Sequence, residues 1–439
     1  MTYRKVLLIL IIIISLIFKS YRLTERYGFS WDQEDDALKT MSMVWNRKPV
    51  LIGPRVASEN GFFAGPFHYY FLLPFYFLGQ GSPYAGVAAM MTVDILTVLA
   101  YFVVGRRLYG EKIGFLAAFM AACKTGLTSW NAMYIPLVAV IGYYLCVEQI
   151  KTGRYFYFLV AFTGLAANLH LVPASLIPLA LLAIIFSTPR PSLLKLLKGL
   201  AIFSLFFFPL ILFDLRHNFL NIQKLLEFVS SQSASVAVVN RGYLTSFWRS
   251  LAIFNGLSLN SFVLVENILI FPALFYCVLA QKTLKLKIFS FCWLILPLIA
   301  LSHYQGNIPE YYYGLVSGLV PLFLSAFLIH YFSTWLIVIL LFLLLFSQFR
   351  VVQKELPWFS LENKIEVVKY IALTQKQDPI FNISFNLPLG ENHGFRYLFK
   401  YFRHEPTDNE TGHLYTISNS PAPEDRVVFR SGALRVIRR

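Results

Sequence analysis

The residues best able to do chemistry in this 439-residue chain crowd near its start. The stretch FSWDQEDDALKTM, beginning at Phe29, places Asp32, Glu34, Asp35 and Asp36 within five positions. Carboxylates this close repel one another, which raises some of their pKa values. A carboxylate at a lipid–water boundary is also partly desolvated. Both effects tune an acid toward general-base work near neutral pH. In a helix, Asp32, Asp35 and Asp36 share one face. One of them suffices as a base; the others could bind a cation or orient an acceptor. A plainer reading stands beside this one. Ser30-Trp31-Asp32-Gln33 matches a capping box, first-turn acids favour the helix dipole, and Leu38, Met41 and Trp45 recur at helical spacing. Residues 31–46 therefore also read as the start of an amphipathic interfacial helix.

A second group lies where an apolar run ends in FDLRHNFLN. Arg216, with His217, is suited to a phosphate through its planar fork, and Asp214 could hold Arg216 in place. Ordinary snorkelling at the membrane surface explains the same residues. Arg55 in IGPRVAS is a further phosphate candidate. His170, in a tight turn between two apolar runs, and Asn131 could touch substrate or serve local structure. His303, Tyr304 and Glu310 are weaker candidates. Asp94 lies within an apolar run, where an acid is functional or paired inside the bundle. Lys124 reads as a snorkelling lysine. Metal-ligand spacing is absent, so no metal site is expected; a divalent cation is compatible with the acids but not required.

The elements that position these residues follow from composition. The chain is 57% hydrophobic and 14% charged, against about a quarter charged in soluble proteins. Long apolar runs recur, so the chain is an all-α polytopic membrane protein. The net charge of +15 does not point to nucleic acid, because the basic residues sit in short loops between apolar runs. All four cysteines fall in or beside those runs without paired spacing. The first run, 6–18, lacks a small-residue cleavage site and reads as a retained signal anchor.

Five basic clusters mark the cytoplasmic side: Arg4/Lys5, Arg106/Arg107/Lys112, Lys151/Arg154, Arg190/Lys195/Lys198 and Lys282/Lys285/Lys287. Spans at 6–18, 85–105, 113–128, 132–147, 155–169, 171–187, 199–213, 262–280, 288–302, 312–330 and 335–350 satisfy them. That makes about eleven spans, with the N-terminus inside. The run GPFHYYFLLPFYFLG (65–79) does not fit as a span and reads as a helix in the outer interface. The loop 19–84, the turns at Asn131 and His170, and the loops 214–261 and 303–311 then share the outer face. Residues 1–350 form the membrane domain.

Residues 351–439 read as a small extracytoplasmic α/β domain. SLENKIEVVKYIALTQ predicts an amphipathic helix with Ile365, Val368 and Ile371/Ala372 on one stripe. GFRYLFKYF predicts a second helix. PIFNISFNL, HLYTIS and ALRVIRR predict short strands. Asn382-Ile383-Ser384 and Asn409-Glu410-Thr411 match glycosylation sequons, a short pattern of little specificity.

The acidic helix start, the Gly-Pro-aromatic run LIGPRVASENGFFAGPFHYYFLLPFYFLG, then GRRLYGEKIGFLAAFMAA, SWNAMYIPL, NLHLVPASL and FDLRHNFLN follow in a recognisable order. In this the chain resembles the C-superfamily (GT-C fold) of integral membrane glycosyltransferases. The branch it looks like is that of protein O-mannosyltransferases and the lipid A aminoarabinose transferase, over residues 1–350. The resemblance implies transfer of a sugar from a polyprenyl-phosphate donor to an acceptor at the outer face of the cytoplasmic (inner) membrane. It also implies catalysis by an Asp in the first outside loop. The family pattern there is Asp-Glu followed shortly by Ala. DQEDDA departs from it, with Gln33 where Glu is common and an added acidic pair. Asp32 fits best by its place before the helix, with Asp35 and Asp36 as alternatives. Single displacement would invert the anomeric centre. The acceptor is a lipid, a polysaccharide or a protein; the sequence does not choose.

A polytopic transporter or lipid-linked sugar flippase is the rival reading, although such proteins carry mid-membrane ionisable residues and repeated halves, and no repeat is evident. A catalytically dead scaffold of the same fold is the third.

Overall fold

The computed structural model describes residues 3–56, 61–233, 246–251, 263–302, 304, 308–354, 356–374, 380–407 and 413–438. His303 and the sequon at 409–411 lie outside them. The first twelve helices are α1 (Tyr3–Ser20), α2 (Leu23–Arg26), α3 (Trp31–Asn46), α4 (Phe67–Leu78), α5 (Ala85–Leu108), α6 (Glu111–Ala122), α7 (Ile135–Thr152), α8 (Phe156–Leu169), α9 (Leu171–Ala174), α10 (Leu176–Phe186), α11 (Leu193–Arg216) and α12 (Leu220–Ser233). Further apolar helices cover Val263–Leu279, Leu284–Ser302, Val320–Tyr331 and Thr334–Lys354. Each apolar run expected from the sequence thus contains helix, although the run 113–128 leaves its helix after Ala122. Among the described residues, five helices are long and apolar enough to cross a membrane unaided, or six if a pair bent by 47° at residues 310–331 counts as one span. α6, α8 and α10 have only 12, 14 and 11 residues, so long helices account for five or six of the about eleven spans expected from the sequence.

Polar contacts sort the two ends of this bundle. At one end, the basic clusters join each other. Arg4 pairs with Glu111 at 3.0 Å. Arg107 donates to the Tyr144 hydroxyl at 2.7 Å. Lys195 reaches the Gly153 carbonyl at 3.3 Å, and Lys285 reaches Thr188 Oγ1 at 3.1 Å. The segments expected on the other face come together at the opposite end, where the chain folds into a polar head.

That head includes the C-terminal residues. Strands β1 (Phe381–Asn386), β2 (His413–Ser418), β3 (Val427–Ser431) and β4 (Leu434–Arg438) form a sheet in the order β1-β2-β4-β3. β1 and β2 are parallel; the other pairs are antiparallel. β3 was not anticipated, because VVFRS alternates weakly. Helices Leu361–Thr374 and Phe395–Tyr401 pack on the sheet. The first of these buries Leu361, Lys364, Val367, Val368 and Ile371, so a lysine occupies the apolar stripe. Its ammonium donates to the carbonyls of Phe29 (2.9 Å) and His393 (2.8 Å), which is what makes its burial tolerable.

The C-terminal region is sewn to the first polar loop rather than standing apart. Leu361 N–H bonds the Tyr27 carbonyl at 2.8 Å, and Gly28 bridges Ser360. Tyr397 donates to the Gly81 carbonyl at 2.6 Å and packs against Phe29. Gly394 makes this approach feasible: its φ is +96°, and a Cβ there would lie 2.3 Å from the Phe29 carbonyl oxygen.

Candidate active site

α3 begins as its sequence predicts. The Ser30 N–H and hydroxyl both donate to Gln33 Oε1 (3.1 and 3.0 Å), and Gln33 Nε2 donates to the Ser129 carbonyl at 3.3 Å. The cap therefore fixes the helix start against residues 128–129. The capping function and the acidic cluster coexist on one turn.

The structure then sorts the four acids. Glu34 is 4% exposed; its Oε1 accepts the Tyr397 N–H at 2.8 Å and its Oε2 lies 3.5 Å from His393 Nδ1. Tyr397 is the third residue of helix Phe395–Tyr401, so Glu34 caps that helix from across the molecule. Asp36 is buried, with Oδ2 2.8 Å from His68 Nε2 on α4. Asp32 and Asp35 are exposed and make no hydrogen bond or ion pair among the described residues. Asp32, Asp35 and Asp36 share one side of α3 as expected, but they differ in burial: Asp32 and Asp35 are exposed at its edge and Asp36 is buried against His68.

Water reaches the Asp32 carboxylate, but protein surrounds it on most sides. That desolvation, followed by the charges of Asp36 and then Asp35, raises its pKa above the ordinary aspartate value, while His68 opposes the rise. Tyr69 on α4 is held protonated by burial and by Asp36, Asp35 and Asp32. Tyr311 also lies in the field of Asp32. Trp130 stacks edge-on to Tyr311 at 4.8 Å, and His170 does so at 5.6 Å.

The remaining candidates divide. His170 Nδ1 accepts the Val172 N–H at 3.1 Å and caps α9; burial and the nearby His68 push its pKa down to about 4, so the ring is neutral. Asn131 Nδ2 donates to the Leu169 carbonyl at 3.1 Å, a tie between helices. Asp214 does not hold Arg216. Its Oδ1 accepts the N–H groups of Asn221 (2.7 Å) and Ile222 (3.4 Å), capping α12, because that helix start is the nearer set of unpaired donors. Arg216 is exposed at the end of α11, with no ion pair among the described residues. His217 bonds the Phe213 carbonyl and stacks on the Phe213 ring.

Arg55 joins this corner indirectly. Its guanidinium lies 5.0 Å from the Phe63 ring centre, and Arg55 and Phe63 form a β-bridge. The Asn221 side chain accepts the Phe63 N–H at 2.6 Å and donates to its carbonyl at 3.3 Å. The first loop is therefore tied to the start of α12 through Phe63 and Asn221. Asp94 pairs with Lys19 at 3.0 Å inside the bundle. Lys124 does not snorkel: it turns inward to line a small cavity with Asp94, Thr97 and Tyr101. Tyr304 packs on Tyr312, and Glu310 opens a short turn before it.

Two apolar clefts flank the site. One, of about 380 Å³, is lined by Phe67, Tyr70, Phe71, Tyr134, Phe162 and Leu169. The other, of about 370 Å³, is lined by Val172, Ser175, Phe228, Pro297, Tyr304 and Tyr312. Among the described residues, no three His, Cys, Asp or Glu side chains are grouped to hold a metal ion.

Sequence reasoning missed His68, Tyr134, Asn221 and Lys364. His68 sits in the aromatic run FHYYF, where a belt at the bilayer surface accounted for every ring, and only its pairing with Asp36 singles it out.

No family model matches the sequence, and no curated protein matches it. Solved structures do. ArnT from Cupriavidus metallidurans bound to undecaprenyl phosphate superposes with a TM-score of 0.61 at 14% identity, covering 98% of this chain and 97% of that one. Its apo state gives 0.61 at 13% identity over the same shares. The Archaeoglobus fulgidus oligosaccharyltransferase tethered with an acceptor peptide gives 0.49 at 11% identity, covering 92% of this chain and 63% of that one. The likeness to ArnT runs through the membrane helices and the C-terminal sheet alike: this chain is a multi-pass membrane protein with the GT-C fold of the integral membrane glycosyltransferases.

Proposed function

We propose that this protein is a glycosyltransferase of the outer face of the cytoplasmic membrane, moving one sugar residue from a polyprenyl-phosphate carrier to an acceptor hydroxyl. The observation that carries the reading is the sorting of the acids. Two are committed to packing, and two stay exposed without a hydrogen bond or ion pair among the described residues, with Tyr69 and Tyr311 in the field of Asp32. Of those two, Asp32 is the base, since desolvation and its like-charged neighbours raise its proton affinity. The fold shared with ArnT, which holds undecaprenyl phosphate, supports a lipid-linked donor.

The chemistry balances without a covalent enzyme intermediate. Asp32 takes the proton of the acceptor hydroxyl as that oxygen bonds to the anomeric carbon. The bond from that carbon to the phosphate oxygen breaks, and the polyprenyl phosphate leaves with the electron pair. One displacement inverts the anomeric centre. Arg216, with Arg55 from the first loop, offsets the charge gathering on the phosphate. The N-terminus lies in the cytoplasm and the head faces outward, where a membrane-borne donor replaces nucleotide sugars. The acceptor is a lipid, a polysaccharide or a protein.

The test is the fate of label in proteoliposomes given a radiolabelled polyprenyl-phosphate sugar and a membrane extract. A transferase moves label from the carrier to a new product. A flippase moves label across the bilayer still on its carrier, and that result would reject the proposal.

A further inference from the structure

Two buried side chains beside the proposed base have no role so far. His68 is fully buried on the first turn of α4, and Tyr134 is 4% exposed at the turn that opens α7. The imidazole Nε2 is 2.8 Å from Asp36 Oδ2, and Nδ1 is 3.1 Å from the Tyr134 hydroxyl. Proton counting gives this chain a direction. With Asp36 ionised and the ring neutral, Nε2–H donates to the carboxylate, Nδ1 is left as an acceptor, and the Tyr134 hydroxyl donates to it. Every proton is used. With a protonated ring, Nδ1–H would turn on the Tyr134 oxygen, and the phenolic proton would have no acceptor among the described residues. A buried carboxylate needs such a donor, and here it comes from a different helix.

We infer that Asp36, His68 and Tyr134 form a buried positioning chain for Asp32, tying the acid helix α3 to α4 and to the start of α7 while holding a negative charge one helical turn behind the base. The inference rests on Asp32 being that base. Asp36 follows Asp32 by four residues, so the two are neighbours along one side of α3. The charge on Asp36 therefore acts on Asp32 at short range without competing for substrate, since His68 occupies it. The groups facing Asp32 are Asp35 and Asp36 on α3, His68 and Tyr69 on α4, and Tyr311 on the 310–313 turn. Those facing His68 are Asp36, Asp32, Tyr134, Tyr69 and His170. Among them, only Asp36 is both anionic and hydrogen-bonded to the ring.

The experiment is a pH–rate profile of sugar transfer by the full-length protein in bilayers, for wild type, Asp36→Asn and Tyr134→Phe, with Asp32→Asn as reference. Asp36→Asn removes the charge, so the acid limb of kcat moves to lower pH and kcat at neutral pH falls about tenfold, in line with weakened base catalysis. The KM for donor stays near the wild-type value. Tyr134→Phe keeps the volume but removes the donor to Nδ1. With that partner gone the imidazole is held less firmly on Asp36, the placement of the charge behind Asp32 loosens, and the acid limb leaves its wild-type pH. This variant carries the test if Asp36→Asn does not fold. Acid limbs that stay at the wild-type pH in folded variants, with Asp32→Asn inactive, overturn the positioning chain and leave the proposed base standing. Full activity in Asp32→Asn overturns both.

Discussion

Replacing Glu34 by Ala should loosen the C-terminal region without touching its own sequence. The carboxylate is buried, and its Oε1 accepts the Tyr397 N–H at 2.8 Å. That N–H belongs to the first turn of helix Phe395–Tyr401, where no carbonyl of its own helix can reach it. A hydrogen bond to a charged group contributes about 1.5–3 kcal/mol, so Glu34→Ala should raise the undocked population of this helix about 10- to 150-fold. Glu34→Gln keeps an acceptor oxygen but not the charge, and should cost about 1 kcal/mol. Amide hydrogen exchange in lipid discs reads the effect directly. Protection should fall across Phe395–Tyr401 and Leu361–Thr374 and hold across α5 and α7. Unchanged exchange in folded Glu34→Ala would refute the claim that this acid joins the two regions. The same variant should lower sugar transfer, because Asp32 stands two residues before Glu34.

Arg216→Ala should lower kcat for transfer about tenfold or more, and Arg216→Lys should recover part of it, since a point charge lacks the planar fork; single-turnover transfer at saturating donor checks both. Asn221→Ala leaves the Phe63 N–H without its acceptor and should destabilise the pairing of residues 53–56 with 62–64 by about 1–3 kcal/mol, seen as faster exchange there and not on α3. Burial pushes Lys364 down to about 8, with Glu391 and Glu34 opposing. Its unfolded value is near 10.5, so below about pH 8 both states are protonated and the folded state bears the burial penalty in full. Between those values only the unfolded state keeps the proton, so docking of the C-terminal region should tighten as pH rises from 8 to 10. Exchange measured in that window should show the rise in wild type and not in Lys364→Met.

Much of this architecture was legible because bilayers and capping leave strong periodic marks. Apolar runs separated by basic clusters gave the helices and grouped their ends, and the contacts of Arg4, Arg107, Lys195 and Lys285 bear that grouping out. The Ser30–Gln33 cap was readable from four residues. The roles of the individual acids were not. Asp32, Glu34, Asp35 and Asp36 are chemically near-identical, and what separates them is remote: His68 lies 32 residues from Asp36 and Tyr397 lies 363 from Glu34. Lys364 was hidden for the same reason, because its carbonyl partner at Phe29 is 335 residues away. Asp214 read as a partner for Arg216 by nearness in sequence, whereas the turn at Asn218 and Phe219 carries the α12 amides to it instead.

The most direct measurement is single-turnover transfer from a saturating polyprenyl-phosphate sugar by Asp32→Asn and Asp35→Asn, with donor binding recorded in the same samples. Loss of a general base predicts that Asp32→Asn still binds donor but transfers about 10²–10⁴-fold more slowly, while Asp35→Asn stays within about tenfold of wild type. Transfer by Asp32→Asn at the wild-type rate would contradict the assignment of the base, whatever Asp35→Asn does.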